Sequence, residues 1–516
     1  MPRQQTDHLL QLIKSMTKGE KRSFRLWVNR DGPSEDKIFM QLFDVLDKQE
    51  DYDEGLIFKK IPRLKKSQLS NIKANLYRQL LISLRNLYKK TDNDIAIREN
   101  IDYAKVLYNR GLYNQSLDML EKAKKTALQS QQYTLTLSVI ELERHIESQH
   151  ITGSMSEKAE EIKSLSLDII KKVVVNNELA NFSLMLYGFY LRYGYVKDKK
   201  DYRFVKEYFD AHHPNVEVAE LDFYEKLLLY QCYVWYYNMI QDFANYYRYA
   251  RSWVELFHQD EAKKYTDTTI YFKGLHNELN ALFMAQRHDR FLSAFEELLS
   301  IKGDKKLINN RNKESIWTLF SYLHGINLIY LTADYQEGTK YVKPLEKILE
   351  SNKYNWDLNR LIVFYYKIAC IYFGADDWEK AIFYLNKITN NYYPDFRGDI
   401  QCFARILNLI AHFELGNDIL VSYQVKSIYR FLAKMEDLGD VQREIFSFIK
   451  RTPTMHESGL LDEFKALKKR LLILKDDPYE RRPFLYLDII SWLDAKIKGI
   501  RMQEAIKLSK GLELEG

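Results

Sequence analysis

Cysteine, proline and glycine are all scarce in this chain of 516 residues, which holds 3 Cys, 9 Pro and 19 Gly. The cysteines, Cys232, Cys370 and Cys402, lie far apart and form no C-x-x-C pair. That leaves a disulfide framework unsupported and makes a reducing, cytoplasmic home the expectation. No proline occurs between Pro62 and Pro214 or between Pro214 and Pro344. Strand-rich folds need Gly and Pro punctuation far more often, so the chain should be all-α. The one long uncharged run, Ser315 to Ala333, contains Ser321, His324, Gly325 and Asn327. It fits the first helix of a hairpin better than a membrane span. The stretch from Met1 to Met16 is polar and broken by Asp7, His8 and Lys14, unlike a signal peptide.

Motifs of catalysis are missing as well. Neither phosphate cradle, G-x-x-x-x-G-K-[ST] or G-x-G-x-x-G, occurs. His145-Ile146-Glu147-Ser148-Gln149-His150 approaches the zinc-protease helix, but its histidines are five apart, about 140° around a helix, where two ligands on one face need a spacing of four. His212-His213-Pro214 reads as a turn pair with no third ligand in view. Ser15-Met16-Thr17-Lys18 spells S-x-x-K without its companion motifs. The expectation is therefore no enzyme, no cofactor and no metal.

Apolar residues make 46% of the chain and charged ones 29%, enough for a long core under a solvated surface. Tyrosine is the outlier, with 38 copies. Each buried ring carries a hydroxyl that must find a partner or reach water. Two readings follow: wide core packing with wet edges, or a groove lined with Tyr that grips an extended partner.

Candidate hairpin turns fall near Gly111, Gly153, Lys200, Gln241, Asp289, Ala333, Asp376, Gly416 and His456. Steps of about 40 to 48 residues leave room for two helices of roughly 14 to 18 residues and their connections. The clearest hairpin runs Tyr365-x2-Ile368-Ala369-x2-Tyr372, turns at Ala375 to Asp377, and continues Trp378-x2-Ala381-x3-Leu385. A second runs Asn100-x2-Tyr103-Ala104-x2-Leu107, turns at Arg110 to Tyr113, and continues Ser116-x3-Leu120 and Ala123. Small residues at Ala104, Ala369 and Ala381 mark the helix crossings, where a bulkier side chain would cost about 1 to 3 kcal/mol by overpacking. These two hairpins resemble the tetratricopeptide repeat, W-x2-L-G-x2-Y, then A-x3-F, then P. The closing proline is absent after the second, where Leu128 stands, and displaced to Pro394 after the first. The resemblance implies a right-handed α-solenoid of about nine antiparallel hairpins over 92–450, closed by a helical cap over 451–516 where Pro453, Pro478 and Pro483 change the rhythm. Pro344 conflicts with this pattern, because it falls inside the second helix of the Tyr335 hairpin and should delay or kink it.

Charge is uneven. Residues 1–90 carry 19 Lys and Arg against 11 Asp and Glu, a net of +8, and the remainder a net of −2. From Gly55 to Thr91 there are ten basic residues and no acidic one. Thr17-x-x-Glu20 should open a helix over 18–28, Ser34 one over 35–48, Asp53 one over 54–61, and Ser67 a long helix over 68–90. On that last helix Leu69, Ile72, Leu76, Leu80, Leu84 and Leu87 share one side. Asn71, Arg78, Arg85 and Lys89 share the other, with Asn75, Gln79 and Asn86 beside them. Such side chains reach phosphates and base edges, and equally they form the solvated face of a first helix. The functional expectation is a scaffold that binds a protein or peptide in a helical-repeat groove. The alternative is a nucleic-acid-binding regulator using the basic module 1–91.

Overall fold

Helix is the dominant regular structure among the described residues, which contain 24 α-helices and no strand. The computed structural model describes residues 7–29, 37–150, 155–390, 398–417, 439–451, 457–477, 479–480, 484 and 488–511. No helix among them is long and apolar enough to cross a membrane. The chain divides into two compact units, Met1–Glu178 and Leu179–Gly516.

The first unit opens with α1 (His8–Ser15), α2 (Lys18–Val28), α3 (Ile38–Lys48), α4 (Glu54–Lys60) and α5 (Lys66–Tyr88). The Thr17 and Glu20 capping box forms as expected, each side chain accepting from the other's backbone N–H. Asp53 caps α4 by accepting from Leu56 N–H at 3.1 Å. Ser34 lies outside the described residues. Ser67 is not the cap of α5: Lys65 holds the last extended conformation, and Gln68 Oε1 accepts its N–H at 3.2 Å, so the helix starts two residues early. Ile13, Phe24, Phe43, Leu46, Ile57, Leu76 and Leu80 close one core. The boundary expected at residue 91 falls between α5 and α6, inside this unit. A separate core joins α6 (Asn93–Asn109), α7 (Tyr113–Gln129) and α8 (Tyr133–His150) through Ile97, Ala104, Leu120, Ala123, Val139 and Ile146. The division between units falls within α9 (Met155–Tyr193).

The second unit contains α10 (Lys199–His212), α11 (Phe223–Met239), α12 (Phe243–Gln259), the short α13 (Glu261–Thr266), α14 (Thr268–Met284), α15 (His288–Ser300), α16 (Arg311–Thr332), α17 (Tyr335–Glu350), α18 (Leu358–Gly374), α19 (Trp378–Thr389) and α20 (Gly398–Glu414). After α20 come α21 (Asp440–Arg451), α22 (Glu457–Lys475), α23 (Ile489–Lys498) and α24 (Met502–Ser509). Contacts run between near neighbours: α11 with α12, α14 with α15, α16 with α17, and α18 with α19. Each pair also touches the next, through α12 to α14, α14 to α16, α16 to α18 and α18 to α20. One apolar core runs from Leu227 on α11 to Ile506 on α24, while α10 packs through Val205 and Phe209 into a separate core with Phe182, Cys232 and Met239. The last helices return to earlier ones, where Trp492 Nε1 donates to Glu414 at 2.6 Å and the Lys510 ammonium donates to the Tyr330 carbonyl at the end of α16.

One turn geometry recurs. At Gly111, Gln131, Gln241, Gln286, Asp376 and Gly416 the backbone is left-handed, with φ from 52° to 76°. The next residue's N–H reaches back five residues, as from Leu112 to Leu107 O at 3.0 Å and from Asp377 to Tyr372 O at 2.9 Å. This is the Schellman cap, which satisfies the last carbonyls of one helix. Asp242 and Asp377 then cap the following helix by accepting from Asn245 and Lys380 N–H. Ala333 is left-handed too. The turn expected near Asp289 centres on Gln286, Lys200 lies in the first turn of α10, and Gly153 and His456 fall outside the described residues. Pro344 neither delays nor ends its helix. α17 begins at Tyr335 and runs through it, and because Pro344 faces solvent the carbonyl it leaves unpaired can be hydrated.

Candidate functional site

The residues proposed for nucleic-acid contact do share one side of α5. Asn71, Arg78 and Arg85 are exposed, while Asn75, Gln79 and Lys89 are half-buried. Asn75 Oδ1 accepts from Arg78 at 3.3 Å and from Gln79 at 3.5 Å. Arg85 and Lys89 are engaged from α6, where Glu99 stands 3.9 and 3.3 Å away. Exposed Leu81 and Ile82 interrupt the same side, and Leu87, expected on the buried side, is exposed.

The residues that carry the repeat pattern are used for packing. Ala104 and Ser116 are fully buried where α6 crosses α7, and Ser116 Oγ donates to Ala104 O at 2.8 Å. Ala369, Ala381 and Leu385 are fully buried between α18 and α19. Tyr372 stacks on Tyr384 with ring centres 6.0 Å apart and donates its hydroxyl to Glu346 at 2.7 Å. Trp378 meets Phe373 edge-on at 4.8 Å, and half-buried Tyr365 lies under the Lys387 ammonium. Tyr372 thus packs with its ring and keeps its hydroxyl on a polar partner.

A polar chain crosses the side-by-side first helices α14, α16 and α18. Lys367 Nζ donates to Asn327 Oδ1 at 2.6 Å, and Asn327 Nδ2 meets His324 Nδ1 at 3.3 Å. An ammonium only donates, so the Asn327 oxygen faces Lys367 and its amide N–H donates to His324. His324 then carries its proton on Nε2 and donates to His276 Nδ1 at 2.9 Å. Asn280 Nδ2 stands 3.4 Å from His276 Nε2; because this network leaves the His276 proton on Nε2, a hydrogen bond there requires the amide turned with its oxygen to the ring. Phe320 stacks flat on His276 at 4.3 Å, and Lys367 lies over the rings of Tyr330 and Phe283. Burial pushes His276 down to about 3 and His324 well below the usual histidine range, so both rings are neutral near pH 7. Burial also pushes the Cys370 thiol up to about 12, far from a nucleophilic thiolate.

A second cluster was not legible from sequence. Arg251 on α12 stands 3.2 Å from Glu278 on α14, whose other carboxylate oxygen is buried without a partner. On α15, Glu297 Oε1 accepts from Tyr271 at 2.6 Å and meets His258 Nε2 at 2.6 Å. Burial pushes Glu278 up to about 7, with Arg251 offsetting this only in part. The sole linear signal is the Arg251 and Glu255 pair at i,i+4, which by itself marks an exposed helix face.

Three further histidines, His145, His212 and His213, are held by aromatic neighbours and backbone. His145 Nε2 meets the Tyr108 hydroxyl at 3.0 Å, and His212 Nδ1 meets the Tyr208 carbonyl at 2.8 Å. His213 packs against Phe182, Phe209 and Tyr233. Among the described residues no group of three His, Cys, Asp or Glu could hold a metal ion. Comparison of the chain with protein-family models, with curated proteins and with solved structures found no match in any of the three.

Proposed function

We propose that this protein is a non-catalytic cytoplasmic scaffold that binds a protein or peptide partner, with its second unit working as a tetratricopeptide-like solenoid. The observation that carries this reading is the side-by-side contact of the first helices α14, α16, α18 and α20. Successive hairpins then contribute to one wall, and the half-buried Asn280, Tyr330 and Lys367 supply polar and aromatic contacts along it. Stacked hairpins recognise partners by shape, with adaptable side chains reading an extended or helical segment. Buried thiols and neutral histidines suit such a wall better than acid–base chemistry. The test is affinity capture from native lysate with and without nuclease, comparing the natural protein with an Asn280→Ala, Lys367→Gln variant, in which Gln can still donate to Asn327. The same protein partners should be retained after nuclease and lost with the variant. Partners that bind both proteins equally contradict the assignment.

A second reading makes the first unit a nucleic-acid-binding element of a regulator, with the second unit sensing the partner. The net charge of +8 over residues 1–90 favours it.

A further inference from the structure

Five cations stand at the corner between α4 and α5. Lys59 and Lys60 end α4, Arg63 lies in the turn, and Lys65 and Lys66 begin α5. All five are exposed. The turn that carries them is pinned from inside, because Ile61 and Leu64 are 1% and 5% exposed in the first core, and Leu64 N–H donates to Ile61 O at 3.0 Å. Two buried anchors three residues apart fix the corner and leave Arg63 between them, and the lysines on either side, facing water.

Part of this arrangement opposes the fold's own electrostatics. Lys59 and Lys60 complement the negative end of α4, an ordinary stabilising choice. Lys65 and Lys66 are the cap and first residue of a 23-residue helix with no acidic residue in its first turn. Its dipole is positive there, so a carboxylate is the stabilising residue and a cation the destabilising one. The neighbouring α2 and α4 follow the rule, with Glu20 and Glu54 in their first turns, while α3 starts behind Lys37 with no acidic residue in its first turn. Several other cations of this unit are paired, among them Arg25 with Asp44, Lys73 with Asp7, and Arg85 and Lys89 with Glu99. No ion pair engages the corner cations among the described residues.

We infer that the α4–α5 corner docks the sugar-phosphate backbone of nucleic acid, with Lys59, Lys60, Arg63, Lys65 and Lys66 as the phosphate contacts. This rests on the second reading above, and it moves the contact from the side of α5 to its N-terminal end. A polyanion supplies the negative charge that the start of α5 lacks. A bilayer fits less well, because membrane-surface segments combine cations with an exposed apolar face. No large apolar side chain from residue 55 to 76 is exposed. A lysine-rich corner contacts phosphates rather than base edges, so binding is independent of sequence.

The test uses the full chain with a fluorescent short DNA duplex, a single-stranded RNA and phosphatidylserine vesicles, between about 50 and 200 mM salt. The Lys65→Asp, Lys66→Glu variant places acid where α5 favours it. Its melting midpoint should hold or rise while nucleic-acid affinity falls at least about tenfold, which separates lost contact from lost fold. Replacing all five cations with Ala should flatten the slope of log K against log salt on duplex DNA by about 4. The Arg78→Ala, Arg85→Ala, Lys89→Ala variant should bind like the natural protein. If the natural protein binds no nucleic acid at the lowest salt, the second reading fails and this inference with it. Binding that survives the corner changes but is lost with the α5 changes overturns the corner and leaves that reading intact. Binding to the vesicles alone overturns the assignment to nucleic acid.

Discussion

Ser116 reaches across the α6–α7 hairpin to Ala104, its hydroxyl 2.8 Å from the carbonyl oxygen in a fully buried contact. Two small residues let the helices close, and the hydroxyl gains a partner it could not take from water at that depth. Ser116→Ala keeps the space and removes one bond, so it should destabilise the first unit by about 1 kcal/mol. Ser116→Leu adds bulk at the crossing and should cost about 3 kcal/mol or more. Urea midpoints of the three proteins check the order, and a Leu variant as stable as the Ala variant would show that the crossing is not tight.

Most of the hairpin turns place a non-glycine residue in the left-handed region, which explains how a chain poor in glycine still closes its helices. Gln131, with φ 56°, has a side-chain oxygen that is buried without a partner. Gln131→Gly should therefore stabilise the first unit by roughly 1 kcal/mol, from relief of the left-handed strain. Thermal unfolding checks it, and a lower midpoint would mean that the glutamine makes a compensating contact.

Glu278 should give the second unit a distinctive pH response. Burial raises its carboxyl from the ordinary 4.5 to about 7. In that interval the folded protein keeps a proton that the unfolded chain releases, so its contribution to stability falls as pH rises from 4.5 to 7. His276 and His324 act in the opposite sense. Their folded-state values are lowered from 6.5, so their contribution is lost as pH falls below 6.5. Comparing the natural protein with Glu278→Gln isolates the carboxyl. Between pH 5 and 8 the natural protein should lose on the order of 2 kcal/mol relative to the variant. Parallel urea-stability curves for the two would show that the carboxyl titrates at its ordinary value.

The all-helical fold was legible because it rests on residues read one at a time: proline spacing, apolar periodicity, and local caps such as Thr17 with Glu20 and Asp53. Turns at Gly111, Gln241, Ala333, Asp376 and Gly416 were legible from the interval between apolar helices. The turn at Gln131 was not legible, and the one expected at Asp289 centres three residues earlier on Gln286, because a glutamine in a left-handed turn has no signature of its own. Ser67 misled for a related reason, since Gln68 Oε1 accepts from the Lys65 N–H and the helix begins at Lys66, before Ser67. Pairings across helices were not legible. Glu99 neutralising Arg85 and Lys89, the chain from Lys367 to His276, and Arg251 beside Glu278 each join residues from different helices that only tertiary contact brings together.

Deleting residues 360–394 removes most of α18 and all of α19, through which α16 and α20 are linked. If the hairpins depend on their neighbours, as in a quasi-one-dimensional stack, the melting transition should drop sharply. An unchanged transition would show that the hairpins do not support one another.

The most direct test of the proposed scaffold is photo-crosslinking in cells, with a photoreactive residue at Asn280 or Lys367 on the wall, or at Lys340 on α17 or Phe383 on α19. The proposal predicts that one protein partner is captured from both wall positions, with or without nuclease, and from neither position on the second helices. Capture only from α17 and α19, or none from the wall, would contradict it.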